Sequence, residues 1–174
     1  SKLQSKLNNN RKTSKNILKL TEKRNNKVKD YLHKSSRYIV NQLVSKNISK
    51  LIIGYNKSWK QDINIGKKNN QNFVNIPFLN YINQLKYKCE LEGIEVILNE
   101  ESYTSKCSFI DMEEVKKHKV YVGKRIKRGL FKSKNGKWIN ADLNGSYNIM
   151  KNVVPNVFNK WIEGFVVSPK VISL

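Results

Sequence analysis

A chain of 174 residues with 34 Lys and Arg against 13 Asp and Glu, a formal net charge of +21, can bury one ordinary core and repels itself unless a polyanion is at hand. That balance points to nucleic acid as the partner, and a ribosomal-type structural protein would share it with a nucleic-acid enzyme. The two cysteines, Cys89 and Cys107, lack a paired spacing, which argues against a disulfide framework. No apolar run approaches the roughly 18 residues of a membrane span, and the N-terminus lacks the apolar core of a secretory signal.

Residues 1–14 read as a flexible basic segment, with Asn8-Asn9-Asn10 and scattered Lys but little apolar content. From Lys15 a helical period takes over, in which Val28, Tyr31, Leu32, Ile39, Val40, Leu43 and Val44 recur at three-, four- and seven-residue steps. Lys and Arg fill much of the other face, suited to phosphate contact without base readout. His33 reads as a structural or phosphate-bonding group rather than a catalytic one. The stretch Ile48 to Tyr55, apolar in its second half, predicts a central parallel strand.

Residues 56–72 form a long polar connection in which Trp59 either stacks on a base or anchors the loop. After Pro77 a helix is predicted over 78–92, with Phe78, Ile82, Leu85 and Cys89 on one stripe. The run Ile94-Glu95-Val96-Ile97-Leu98 predicts a second buried strand, and Glu100-Glu101 follow it. Asn135-Gly136 signals a hairpin turn between Phe131 and Trp138-Ile139. A last helix begins at Asp142, with Leu143, Tyr147 and Met150 as its apolar face. The tail from Val153 to Leu174 is left open, either folding back on the core or ending irregularly.

A carboxylate past a strand and another at a helix start are what a nuclease needs to hold divalent metal over a phosphate. Each has a plainer reading, Asp142 as a helix cap and Glu101 as a solvated side chain. Adjacent residues on an extended chain face opposite ways, so one of Glu100 and Glu101 should point to the site.

The block Asp142-Leu143-Asn144-Gly145-Ser146-Tyr147-Asn148-Ile149 resembles the D-x-N-A-A-x-N-I ending of the TnpB (OrfB) proteins, with small-for-small changes. Those are transposon-encoded RNA-guided nucleases related to type V CRISPR effectors and to the Fanzor proteins. Tyr103-Thr104-Ser105-Lys106-Cys107 resembles the family's Y-T-S-[QK]-x-C block, with the Cys one residue early. The matches run from about Asn26 to Asn152. Most of the family carries a catalytic Glu at the end of the first strand read here, where this chain has Gly54-Tyr55-Asn56. A subset supplies that carboxylate from the next strand, and Glu101 matches the relocated position.

The resemblance implies an α/β, truncated RNase H-like (RuvC) fold lacking its first three strands. Residues 15–106 would form the helix-strand-helix-strand part, 107–139 a small degenerate zinc-ribbon-like β insert, and 140–152 the final helix. Glu101 and Asp142 would be catalytic residues and ligands of Mg²⁺, once the complete site is assembled. Asp30, Asp62 and Asp111 stand in contexts that do not supply the family's first catalytic Asp. The chain starts at Ser1 rather than Met and is expected to be a piece of a longer nuclease, inactive without its N-terminal part.

In the insert, Cys107 and His118 cannot close a four-ligand site, so no structural zinc is expected. Apolar contacts among Phe109, Ile110, Val120, Tyr121, Ile126, Leu130 and Phe131 should hold it instead. Lys124, Arg125, Lys127, Arg128, Lys132 and Lys134 would bind nucleic acid. The implied partners are DNA and a guide RNA, with no membrane. The implied location is the cytoplasm, at the nucleoid in a bacterium, or the nucleus for a eukaryotic or viral source. The competing reading is a non-catalytic basic DNA- or RNA-binding module.

Overall fold

A computed structural model of the chain describes residues 6, 13–56, 77–158, 168–169 and 171–172. Trp59 and its connection, and most of the tail, lie outside the described residues. The chain divides into two compact units, one holding residues 13–48 and 77–93 and the other 49–56 and 94–158.

The first unit is a pair of helices, α1 (Lys15–Ser45) and α2 (Phe78–Leu91). Ser14 caps α1, its hydroxyl accepting from the Ile17 N–H at 3.3 Å. The helix ends through Asn47 at φ 53°, which lets the Ile48 N–H return to the Leu43 carbonyl at 2.9 Å. Val40 of α1 and Ile82, Leu85 and Cys89 of α2 are buried. The predicted stripe on α1 is covered over less of its length than the spacing suggests. Its buried residues fall between Ser35 and Val40, every residue from Leu18 to Lys27 is exposed, and Tyr31 and Val44 are exposed as well. A 31-residue helix outruns the 14 residues of α2 packed on it.

The second unit contains two small sheets. Strands β1 (Lys50–Tyr55) and β2 (Glu95–Glu100) pair in parallel, in register from Lys50 with Glu95 to Tyr55 with Glu100. Strands β3 (Lys124–Lys127), β4 (Leu130–Lys132) and β5 (Trp138–Asn140) form an antiparallel meander. The turn between β4 and β5 places Gly136 at φ 79°, a conformation for which glycine carries no Cβ penalty, as the Asn-Gly signal requires. Helix α3 (Ala141–Val153) follows β5 directly and packs on both sheets.

The core of this unit is Ile110, Phe131, Ile139 and Ala141, with Leu143 and Tyr147 against it. Phe109 stacks on Tyr147 with ring centroids 4.7 Å apart. Phe158, in a 3-10 turn over Pro155–Phe158, meets Phe109 edge-on at 5.0 Å. The start of the tail therefore folds back on the core.

The segment 107–139 is held differently from the apolar cluster the sequence predicts. Val120 is 83% exposed, Ile126 is exposed too, and all four residues of β3 face solvent, because β3 is the outer strand of the meander. Two carboxylates supply the missing cross-links. Buried Glu113 accepts from the Ser108 N–H at 2.7 Å through one oxygen and from the Val122 N–H at 3.0 Å through the other. Asp111 accepts from the Ser108 hydroxyl at 2.6 Å and the Lys134 N–H at 2.9 Å, tying the first loop to the β4–β5 turn. Charge-assisted hydrogen bonds of this kind are roughly twice as strong as neutral ones.

Candidate metal and nucleic-acid site

Glu101 leaves the end of β2 and turns back over β1. A β-carbon added to Gly54 would stand 2.7 Å from Glu101 Oε2 and 2.6 Å from Ile149 Cδ1, so the carboxylate lies in the space that a side chain at Gly54 would fill. Glu100, paired with Tyr55, is exposed and accepts from the Ser102 hydroxyl at 2.9 Å. Of the two glutamates, Glu101 is the one packed against β1 and α3.

Asp142 lies in the first turn of α3 and is exposed, but it is not the cap. Asn140 caps the helix, its side-chain oxygen accepting from the Asp142 N–H at 2.9 Å and the Leu143 N–H at 3.2 Å. Asp142, Gly145 and Ile149 recur at steps of three and four residues and share one helix face. Glu101 is thus anchored beside that face, about two turns or roughly 10 Å of axis from Asp142. Between them, a β-carbon at Gly145 would meet nothing within 4 Å.

Hard carboxylate oxygens on separate elements are the donor type Mg²⁺ prefers. Among the described residues, no three His, Cys, Asp or Glu side chains stand together as a metal-binding group.

Two residues missed by the sequence reading fix the loop after Glu101 to α3. Asn144 and Asn148, four residues apart on one face, are fully buried. Asn144 accepts from the Phe109 N–H at 2.9 Å and donates to the Cys107 carbonyl at 2.9 Å. Asn148 donates to the Thr104 carbonyl at 2.9 Å and the Cys107 carbonyl at 2.8 Å. The buried side of α3 is therefore amide as much as apolar. The signal was the pair of asparagines inside the quoted motif, at positions where an ordinary packing helix would carry Leu or Ala. Tyr103, within the same loop, sits at φ 62°, a strained setting for a residue with a bulky side chain.

Lys124, Arg125, Lys127, Arg128 and Lys134 are exposed, and half-buried Lys132 holds its ammonium 5.2 Å from the centre of the Trp138 ring. Ser105, Lys106, Tyr121, Gly123, Lys124 and Arg125 line an open groove of about 500 Å³ between the Glu101 loop and this sheet. Lys106 and Tyr121 join the cationic rim, with the Lys106 ammonium 5.9 Å from the Tyr121 ring centre.

A mixed α/β chain with two small sheets and a cationic meander is the class these units define. Two family models cover most of it. One, OrfB_IS605, described as a probable transposase, matches residues 1–60, and a second, described as Cas12f1-like, TNB domain, matches residues 78–149. Among solved structures, the chain is similar to Cas12f1 in its complex with sgRNA and target DNA, at a TM-score of 0.58 and 22% identity. That likeness covers 78% of this chain and 36% of the Cas12f1 chain, so the chain spans about a third of its length. No match was found among the curated proteins. The resemblance to the TnpB (OrfB) nucleases read from the two motif blocks is borne out, and the chain is TnpB-like. Among the described residues no helix is long and apolar enough to cross a membrane.

Proposed function

We propose that the chain is the C-terminal part of a transposon-associated RNA-guided DNA endonuclease and contributes Glu101 and Asp142 to its divalent-metal phosphodiesterase site. The observation that carries this is the Glu101 carboxylate over Gly54, against Ile149 on the helix face that Asp142 shares. The parallel β1–β2 pair with α3 on it fits a truncated RNase H-like (RuvC) fold. Glu101 and Asp142 would be ligands of separate ions in a Mg²⁺ pair, since roughly 10 Å along the helix is too far to share one, and that pair would activate water and stabilise the leaving oxygen when bound.

The residues of the chain do the positioning. The loop that Asn144 and Asn148 tie down keeps the Glu101 backbone fixed relative to α3. Lys124, Arg125, Lys127, Arg128, Lys132 and Lys134, with Lys106, draw in the nucleic-acid backbone. The described residues supply two carboxylates, so a complete site requires a further acidic ligand from elsewhere, and the chain alone is expected not to cut. With Asp111 and Glu113 cross-linking 107–139, no structural zinc is proposed there.

The alternative, a non-catalytic DNA- or RNA-binding module, is favoured by the exposed cationic meander. Paramagnetic broadening by Mn²⁺ separates the two. The nuclease reading expects broadening centred on Glu101 and Asp142 that disappears in E101Q/D142N. Salt-sensitive nucleic-acid binding with no localised Mn²⁺ effect would instead leave the binding module.

A further inference from the structure

Lys88 is a buried cation on α2, 3% exposed, and nothing in the proposed metal site uses it. Its ammonium donates to the His33 carbonyl at 2.9 Å and the Ser36 hydroxyl at 2.6 Å, both on α1. Among the described residues both of its acceptors are neutral. The described residues place no carboxylate within ion-pair distance of it; nearby Arg37 pairs with Glu92 at 3.6 Å and Lys34 with Asp30 at 2.8 Å, both at the surface. A buried charge without a counter-charge is costly to fold around.

That charge lies on the wall of an open groove of about 560 Å³, lined by His33, Lys34, Arg37, Tyr38, Asn41, Tyr87 and Lys88. The lining holds three cations, an imidazole, two phenols and an amide, and no carboxylate. Every one of these groups can donate a hydrogen bond. Lys88 is also held below the ordinary lysine range, by burial first and by the Arg37 charge second, and an anion in the groove would relieve both.

We propose that this groove between α1 and α2 is an oxyanion seat that takes a phosphate group, with Lys88 as its floor and Lys34 and Arg37 as its rim. A phosphate oxygen offers what the protein does not, a compact negative charge with several acceptor sites, and Arg37 can meet it through two N–H groups. The seat is built from the two helices alone, so it stands whether or not the chain binds metal.

The test compares two pairs of charge removals on α1 in the full chain. K34Q/R37Q empties the rim and keeps Lys88, while giving up the surface ion pairs to Asp30 and Glu92, so helix content is checked in this variant too. K19Q/K23Q removes the same number of charges from the exposed first half of the helix. With a labelled ten-nucleotide single strand as probe, K34Q/R37Q is expected to weaken binding at least about fivefold and to lower the salt slope by about 1.4, for two lost phosphate contacts. K19Q/K23Q should change affinity less than about twofold. Equal losses in the two pairs would mean diffuse attraction and overturn the seat.

Inorganic phosphate, in a background of sodium chloride at equal ionic strength, gives the second arm. If it raises the melting temperature of the wild type and not of K34Q/R37Q, the seat accepts free phosphate. If only the oligonucleotide separates the two pairs, the phosphate belongs to a nucleic-acid backbone. If neither probe does, the proposal fails. K88M, checked for helix content, removes the floor and should match K34Q/R37Q in the same assays.

Discussion

Gly54 and Glu101 share one volume at the head of the parallel strands, since a β-carbon on the first would stand 2.7 Å from a carboxylate oxygen of the second. The other atom in the way, Ile149 Cδ1 at 2.6 Å, is also the end of a flexible side chain. Gly54→Ala should therefore shift side chains rather than backbone, costing about 1–2 kcal/mol by urea unfolding. The same change should displace the carboxylate and abolish localised Mn²⁺ broadening. Returning the acid to the strand, in Gly54→Glu with Glu101→Ala, should recover part of it. Undiminished Mn²⁺ binding in the Gly54→Ala chain would show that the placement of Glu101 is irrelevant to metal.

The two buried asparagines should differ in what they hold. Without Asn144, the buried Phe109 N–H loses its acceptor and the Cys107 carbonyl keeps only Asn148. Without Asn148, the Thr104 carbonyl loses a donor while Cys107 keeps Asn144, and the Asn148 side-chain oxygen makes no hydrogen bond among the described residues to begin with. Asn144→Ala is expected to cost about 2–3 kcal/mol and Asn148→Ala about 1–2 kcal/mol, in the range for stranding buried polar groups. Denaturant midpoints of the two variants check the order, and the reverse order would mean the loop is held elsewhere.

Elements that depend on neighbouring residues were legible in the sequence. Helical spacing from Lys15, the apolar runs at Leu51–Ile53 and Val96–Leu98 and the Asn135-Gly136 turn each encode their own geometry, and the structure has those elements. What the spacing could not show is which parts of an amphipathic face acquire a partner. In the first half of α1, Leu18 and Leu20 are exposed and Ile17 and Val28 only half-buried, since α2 is less than half as long. Around the site, the position of Asp142 in the first turn of α3 was readable, but its cap proved to be Asn140, two residues earlier. Asn144, Asn148, Asp111 and Glu113 were invisible in role, because each bonds a backbone group whose position only the fold defines. Asp111 stands in a context that offers no metal role, and its partners at Ser108 and Lys134 are 3 and 23 residues away.

The carboxylate cross-links of segment 107–139 give a prediction that a zinc-held ribbon would not share. Glutamine at 113 keeps the size of the side chain but has only one acceptor oxygen. One of the Ser108 and Val122 N–H groups then faces an amide donor. Glu113→Gln should cost about 1–3 kcal/mol, and a chelator should leave the melting temperature of the wild type unchanged. A fall in melting temperature on chelation, reversed by Zn²⁺, would show that metal and not Glu113 holds the segment.

Lys88 predicts how stability varies with alkaline pH. Burial first, and the Arg37 charge second, hold its pKa below the ordinary 10.5, so the folded chain releases this proton at lower pH than the unfolded chain. Between the folded value and 10.5 the unfolded chain binds more protons, and stability rises with pH across that window. The titratable groups that line the groove with Lys88 are His33, Lys34, Arg37 and Tyr38 from α1 and Tyr87 from its own helix, and Glu92, one turn further along that helix, pairs with Arg37 at 3.6 Å. Cys89 and Cys107, pushed above 9.0 by burial, act in the opposite direction above that pH. They do so in both wild type and K88M, so the difference between the two proteins isolates the lysine. Wild type should gain on K88M in urea midpoint as pH rises toward 10.5, and phosphate should shrink the gain by restoring the ammonium. A difference that stays flat with pH, with or without phosphate, would mean that Lys88 titrates as an ordinary surface lysine.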